Sequence, residues 1–167
     1  MDVRVVSVVD GNTLVVVDDR QERFKVVVAA VAAPQFGQPF HDQATTSLSA
    51  LTFRRTVTLR SERLFPNGVR VATIMAPNPK CHEATCPRII DVGLLQVSAG
   101  MAWWMRDSAT QQSPAVKQEY EVAEFRAKAR RLGLWADRNP VAPWLWRRAL
   151  AEPRHDGFIT SPAPGRR

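Results

Sequence analysis

An α+β fold that is mainly β is predicted, a small closed barrel of five strands with three helices, on three observations. The first third of the chain consists of valine-rich runs separated by tight-turn residues. A single stretch of helical spacing falls between the third and fourth strand-like runs. After the fifth run come two segments with helix-boundary residues at their ends. Five strands with a helix between the third and fourth is the element order of an OB-fold barrel.

Residues 3–9 and 13–18 are β-branched runs joined by Asp10-Gly11-Asn12, residue types that tolerate the positive φ of a tight hairpin. Asp18-Asp19-Arg20-Gln21-Glu22 makes a second polar turn. Residues 23–33 read as a third strand, stopped by Pro34, because proline cannot donate to a central ladder. From His41 to Phe53 the apolar positions Ala44, Leu48 and Leu51 recur at helical spacing. Thr56-Val57-Thr58-Leu59-Arg60 reads as the fourth strand, and residues 69–75 as the fifth, after the turn Pro66-Asn67-Gly68. Residues 89–99 read as a second helix ended by Gly100. Ser113 suits the N-cap and Pro114 the first turn of a third helix. That helix is expected to run to about Leu132 and stop at Gly133, with Val122, Phe125 and Ala129 on one face. Residues 1–148 form the expected domain. Residues 149–167, with three prolines and a Gly165-Arg166-Arg167 end, read as a flexible tail.

A chain of 167 residues with 45% hydrophobic content fits one domain with a true core and is not a disordered composition. It lacks a run of 18 apolar residues, so no membrane span is expected. The first residues lack the basic-then-apolar layout of a leader. The expectation is a cytoplasmic protein as the chain stands, or a periplasmic or secreted one if a leader has been removed. The formal charge is +7, unevenly placed: residues 1–112 carry a net +2 and residues 113–167 a net +5. Basic charge attracts phosphate backbones without sequence preference.

Six motifs fall on this frame: Asp10-Gly11-Asn12-Thr13; residues 26–35, ending Ala32-Ala33-Pro34-Gln35; Gln38-Pro39-Phe40; Gly100-Met101-Ala102-Trp103-Trp104; Gly133-Leu134-Trp135; and Pro143-Trp144-Leu145-Trp146-Arg147-Arg148. Together they resemble the staphylococcal nuclease (thermonuclease) family over about residues 3–148. That family usually reads Asp-Gly-Asp-Thr, then Val-Arg-Leu-x-Gly-Ile-Asp-Ala-Pro-Glu, then Tyr-Gly-Arg. The resemblance implies the same OB-fold barrel and a calcium-dependent cleavage of phosphodiester bonds in DNA and RNA. Two carboxylates and a main-chain carbonyl help to hold the calcium, a glutamate orients the attacking water, and two arginines neutralise charge on the phosphate. A hard cation prefers charged oxygen ligands, and charge building on a phosphate needs placed positive groups.

Carried over position by position, the resemblance implies a loss of this set. The calcium carboxylates fall on Asn12 and Ala32, and the carbonyl ligand on Ala33. The first arginine falls on Val27, the glutamate on Gln35, and the second arginine on Val69, with Arg70 adjacent. Removing one electrostatic stabiliser of a transition state typically costs about 100- to 1000-fold, and losing ligands, base and cations together leaves almost no rate of the family's kind. No catalytic residue, metal ligand or cofactor is therefore expected; calcium returns only if an altered site is active, for example one using Asp10, Asp18, Asp19 and Arg70. Phe65 and Met105 lie near positions where the family often has tyrosines contacting nucleotide. Some bacterial members carry a cysteine pair where this chain has Cys81 and Cys86, which fits a disulfide and a secreted or periplasmic origin; free thiols, or a metal site with His82, are the other readings.

Five tryptophans lie in the second half of the chain. Beside arginine they are able to stack on bases of a single strand, although the family uses its Gly-Leu-Trp and Pro-Trp motifs for packing. Arg70, Arg106, Arg131, Arg147 and Arg148 are the candidate nucleic-acid contacts. Three functions stand: a catalytically degenerate nuclease-like domain kept for binding single-stranded DNA, RNA or a protein; an active metal-dependent nuclease with an altered site; and a structural or protein-interaction module with no nucleic-acid role.

Overall fold

Valine alternating with polar residues turns one side of each N-terminal strand inward. In the computed structural model, which describes residues 1–78, 81 and 89–151, strand β1 (Asp2–Asp10) buries Val3 and Val5 and strand β2 (Thr13–Val17) buries Leu14 and Val16. Strand β3 (Arg23–Val28) buries Val26 and Val28. The single strand expected over residues 23–33 divides here. Ala30 adopts a positive φ of 57°, which breaks the ladder, and strand β4 (Val31–Ala32) leaves in a new direction.

Helix α1 (His41–Thr52) buries Ala44 and Leu48, followed by strands β5 (Thr56–Leu64) and β6 (Arg70–Pro77). Strand β7 (Ile89–Asp91) and helix α2 (Val92–Ser98) occupy the segment expected as one helix over 89–99. The cause is local: the Asp91 carboxylate accepts from the backbone N–H groups of Gly93 and Leu94, so the helix can begin only after it. Strand β8 (Trp103–Trp104) pairs with β4. Helix α3 (Pro114–Ala129) is capped by the Ser113 hydroxyl as expected, and ends before Leu132, with Arg131 at a φ of 52°. Helix α4 (Pro143–Ala151) was not predicted by periodicity, and runs past residue 148. Residues 152–167 lie outside the described residues.

The strands follow the order β3-β2-β1-β5-β6-β7, and β3 also pairs in parallel with β6, Val27 opposite Val71. That pairing closes β1, β2, β3, β5 and β6 into a five-stranded barrel. Helices α1 and α2 cover it, and α3 packs on α2 and β8. The ends of α2 and α3 meet at Gly100 and Gly133, both at positive φ, where a Cβ on either would collide with the other's neighbouring backbone. Among the described residues no helix is long and apolar enough to cross a membrane.

The inward face of α3 departs from expectation. Tyr120, Glu124 and Ala127 are buried, whereas Val122 and Phe125 are exposed, Phe125 by 70%. A tyrosine and a glutamate occupy the packed positions because each has polar partners there. The Tyr120 hydroxyl donates to Asp91 at 2.8 Å. Glu124 accepts from the Trp104 N–H and pairs with Arg106 and Lys128.

Candidate functional site

Five of the positions carried over from the nuclease frame lie where the first hairpin meets β3 and β4. The Asp10–Asn12 turn is held by its own side chain: Asp10 accepts from the Asn12 N–H at 2.9 Å. The Asn12 carbonyl accepts from the Val28 N–H at 2.8 Å, tying the turn to the end of β3. Gly11 is required by close approach, since a Cβ there would stand 2.6 Å from the Cβ atoms of both Ala33 and Ala44. Gln96, fully buried on α2, donates to the carbonyls of Gly11 and Ala44 and accepts from the Ser47 hydroxyl. The turn, α1 and α2 therefore share one polar junction.

The side-chain amides around this turn donate to main-chain carbonyls. The Asn12 side-chain amide donates to the Val31 carbonyl at 3.2 Å. The Gln35 side-chain amide donates to the Ala33 carbonyl at 3.0 Å, the main-chain oxygen aligned with a calcium ligand. Because both partners are carbonyls, both amides present nitrogen. Ala32 and Ala33 are buried and bring only methyl groups. A calcium ion needs six to eight oxygen ligands, several of them anionic. This donor set supplies no carboxylate from Asn12, Ala32 or Gln35, and it does not fit the ion.

The loop after Ala33 is fixed from both sides. Gln38, buried, accepts from the Gln35 backbone N–H and donates to the Val141 carbonyl. His41 Nδ1 lies 3.0 Å from the Pro34 carbonyl. Phe36 stands out at the tip, 87% exposed, edge-on to the His41 ring.

Beside this turn a cleft of about 330 Å³ is floored by residues 27–31 and Val71. Phe65 and Met105, which the resemblance sets near nucleotide-contacting positions, line it. Among the described residues its charged side chains are one arginine, Arg63, and one aspartate, Asp107. Arg63, which sequence reasoning missed, packs over the Phe65 ring at 5.3 Å. Val27 contributes an apolar wall.

Strand alternation decides the position of Arg70. Val71 and Thr73 line the cleft, while Ala72 and Ile74 are buried in the barrel. Val69 shares the parity of Val71, and Arg70 has the other. Arg70 instead lies 4.0 Å above the Phe24 ring and pairs with Glu62 at 2.8 Å. Asp18 accepts from the N–H groups of Arg20 and Glu22 within its own turn. Among the described residues, no three of the His, Cys, Asp and Glu side chains cluster at metal-binding distance. Cys81 is described, but Cys86 and His82 lie outside the described residues.

The other candidate contacts are spread. Arg106 stacks over Trp104 at 4.5 Å and pairs with Glu124 at 3.1 Å. Arg131 follows α3, and Arg147 and Arg148 are exposed on α4. Trp103 makes edge contacts with Trp135 at 4.4 Å and Trp144 at 5.7 Å. These contacts give the tryptophans a packing role, joining β8 to the segment after α3 and to α4.

The buried Asp91–Tyr120 pair also lay beyond sequence reasoning, although an aspartate just before Val92-Gly93 is a helix-start signal. Burial raises the Asp91 carboxyl above the ordinary 3.8, a shift that the Tyr120 hydroxyl and the two capping N–H groups oppose. Burial, with the Asp91 charge beside it, pushes the Tyr120 hydroxyl up as well.

Comparison with known proteins agrees with this frame. The family model described as "Staphylococcal nuclease homologue" matches residues 14–137. The chain is 35% identical over 145 residues to a protein of Shigella flexneri named "Micrococcal nuclease", covering 87% of this chain and 79% of that one. It is 30% identical over 153 residues to "Protein ParB" of Escherichia coli, covering 92% and 82%. An "Uncharacterized endonuclease" of Haemophilus influenzae is 29% identical over 147 residues, covering 87% and 72%.

Proposed function

The chain belongs to the staphylococcal nuclease homologue family, and on that premise we propose that it is a catalytically degenerate member kept for binding nucleic acid. One observation carries the reading: the Asn12 and Gln35 side chains, where the frame calls for carboxylates, are uncharged amides whose NH2 groups donate to the Val31 and Ala33 carbonyls. An amide carries no negative charge for a cation and accepts no proton from water. Val27 and Val69 supply no cation for the phosphate. Arg70, the nearest substitute, is occupied by Glu62 and Phe24.

The family and the basic second half support nucleic acid as the ligand. The protein-partner reading draws on a different observation, the mainly apolar cleft with one charge of each sign.

Two assays test the proposal. Denatured DNA incubated with the protein and calcium is expected to remain intact; cleavage abolished by a chelator would restore the active-nuclease reading. Gel shifts on single-stranded DNA and RNA are expected to show binding that weakens as salt rises. Absence of any shift at low salt would refute the nucleic-acid role and favour a protein partner.

A further inference from the structure

A second cavity, of about 410 Å³, lies apart from the degenerate turn, where β8, α3 and α4 meet. Trp103, Trp104 and Trp144 line it, with two cations, Arg106 and Lys128, and two carboxylates, Asp107 and Glu124. The two cations are already paired with a carboxylate. Both contact the same Glu124 oxygen, Arg106 at 3.1 Å and Lys128 at 3.0 Å, and Glu124 is 2% exposed. Lys128 lies over the Trp103 ring and Arg106 over the Trp104 ring, so the π surface that the cavity offers is that of Trp144, 36% exposed.

Free positive charge lies next to it. Arg147 and Arg148 stand three and four residues after Trp144 on α4, so they share its side of the helix. Both are exposed, and among the described residues neither has an acidic partner. Guanidinium groups match phosphate oxygens in a bidentate fork, and an indole takes any unpaired base by stacking. Neutralised inside and cationic outside, the arrangement complements a strand whose bases turn in while its phosphates remain in solvent. A duplex keeps its bases stacked and cannot present them.

We infer that this cavity is a docking point for single-stranded nucleic acid, one base entering beside Trp144 and the adjoining phosphates meeting Arg147 and Arg148. The inference rests on the nucleic-acid reading above, and assigns it to a surface other than the nuclease cleft.

Fluorescence anisotropy with labelled oligothymidylate, and with the same strand annealed as a duplex, tests it in the full chain. The single strand is expected to bind more tightly. Trp144→Leu, which keeps an apolar contact with Trp103, is expected to weaken single-strand binding about 5- to 100-fold, and Trp144→Phe to recover most of it. Arg147→Gln with Arg148→Gln is expected to lower the salt slope by about 1.4. Arg63→Gln in the cleft is expected to leave both unchanged. Melting curves show that each variant is folded; should Trp144→Leu fail to fold, the arginine pair and Trp144→Phe still decide. Tighter binding to duplex, neutral Trp144 and arginine variants, or a loss confined to Arg63→Gln would each overturn the inference while leaving the nucleic-acid reading intact. No binding to either probe at low salt would overturn both. Binding to vesicles of phosphatidylglycerol and phosphatidylcholine in preference to the oligonucleotide would assign the surface to membranes instead.

Discussion

Gly11 and Gln96 decide whether the turn carrying Asn12 stays in place. Gly11→Ala would press a methyl group against Ala33 and Ala44. A loss of about 1–3 kcal/mol is expected, the usual cost of overpacking, and chemical denaturation checks it. Gln96→Leu would leave the carbonyls of Gly11 and Ala44 buried without their donor. Each orphaned group costs about 1–3 kcal/mol, so a loss of about 2–6 kcal/mol is expected in the same measurement. Asp91 gives a pH prediction. Its folded carboxyl holds a proton more tightly than the unfolded one, so its contribution favours the folded state most below the ordinary 3.8 and is lost as pH rises through the raised value. Asp91→Asn keeps the cap, because asparagine caps as well as aspartate. Melting temperature should therefore fall less steeply with rising pH in that variant than in the parent.

At the scale of the element, the strands and the first hairpin were legible because valine alternation and Asp10-Gly11-Asn12 are local signals. The break at Ala30 was not, since an alanine at positive φ carries no mark in the sequence. The face of α3 was misjudged for a related reason. Apolar spacing chose Val122 and Phe125, but the face turned inward carries Tyr120 and Glu124, whose partners come from α2 and β8. Only the spacing of Glu124 to Lys128 hinted at an ion pair. Within the candidate site, the substituted positions could be read from the motif. The amides' closure onto Ala33 and Val31, and the parity that turns Arg70 away from the cleft, required the fold. Glu124 yields an element-scale prediction. Glu124→Leu would leave the Trp104 N–H unpaired and release Arg106 and Lys128. A loss of about 1–3 kcal/mol is expected, read as a lower melting temperature. For Cys81 and Cys86 we propose a disulfide, and the intact mass should rise by two hydrogens on reduction.

For the whole molecule, the distribution of charge separates scaffold from surface. The barrel half is nearly neutral, and the excess of lysine and arginine gathers after residue 112. If the degenerate site is a vacated cage, restoring its charges should create a cation requirement. The triple change Asn12→Asp, Ala32→Asp and Gln35→Glu is expected to lower stability without metal, since it crowds carboxylates together, and to recover it with calcium through ligand linkage. The parent's melting temperature should be unmoved by calcium or chelator. A parent that responded to calcium, or a triple variant that did not, would refute this.

The parallel β3–β6 pairing has a consequence for the chain as it is made. Residues 26–28 have no partner on that side until residues 70–72 exist. A nascent or truncated chain ending before β6 would display the valines of β3 on an open strand edge, a template for other chains. Fragments of this protein that stop short of residue 70 should therefore aggregate, whereas longer ones that include β6 can seal the edge.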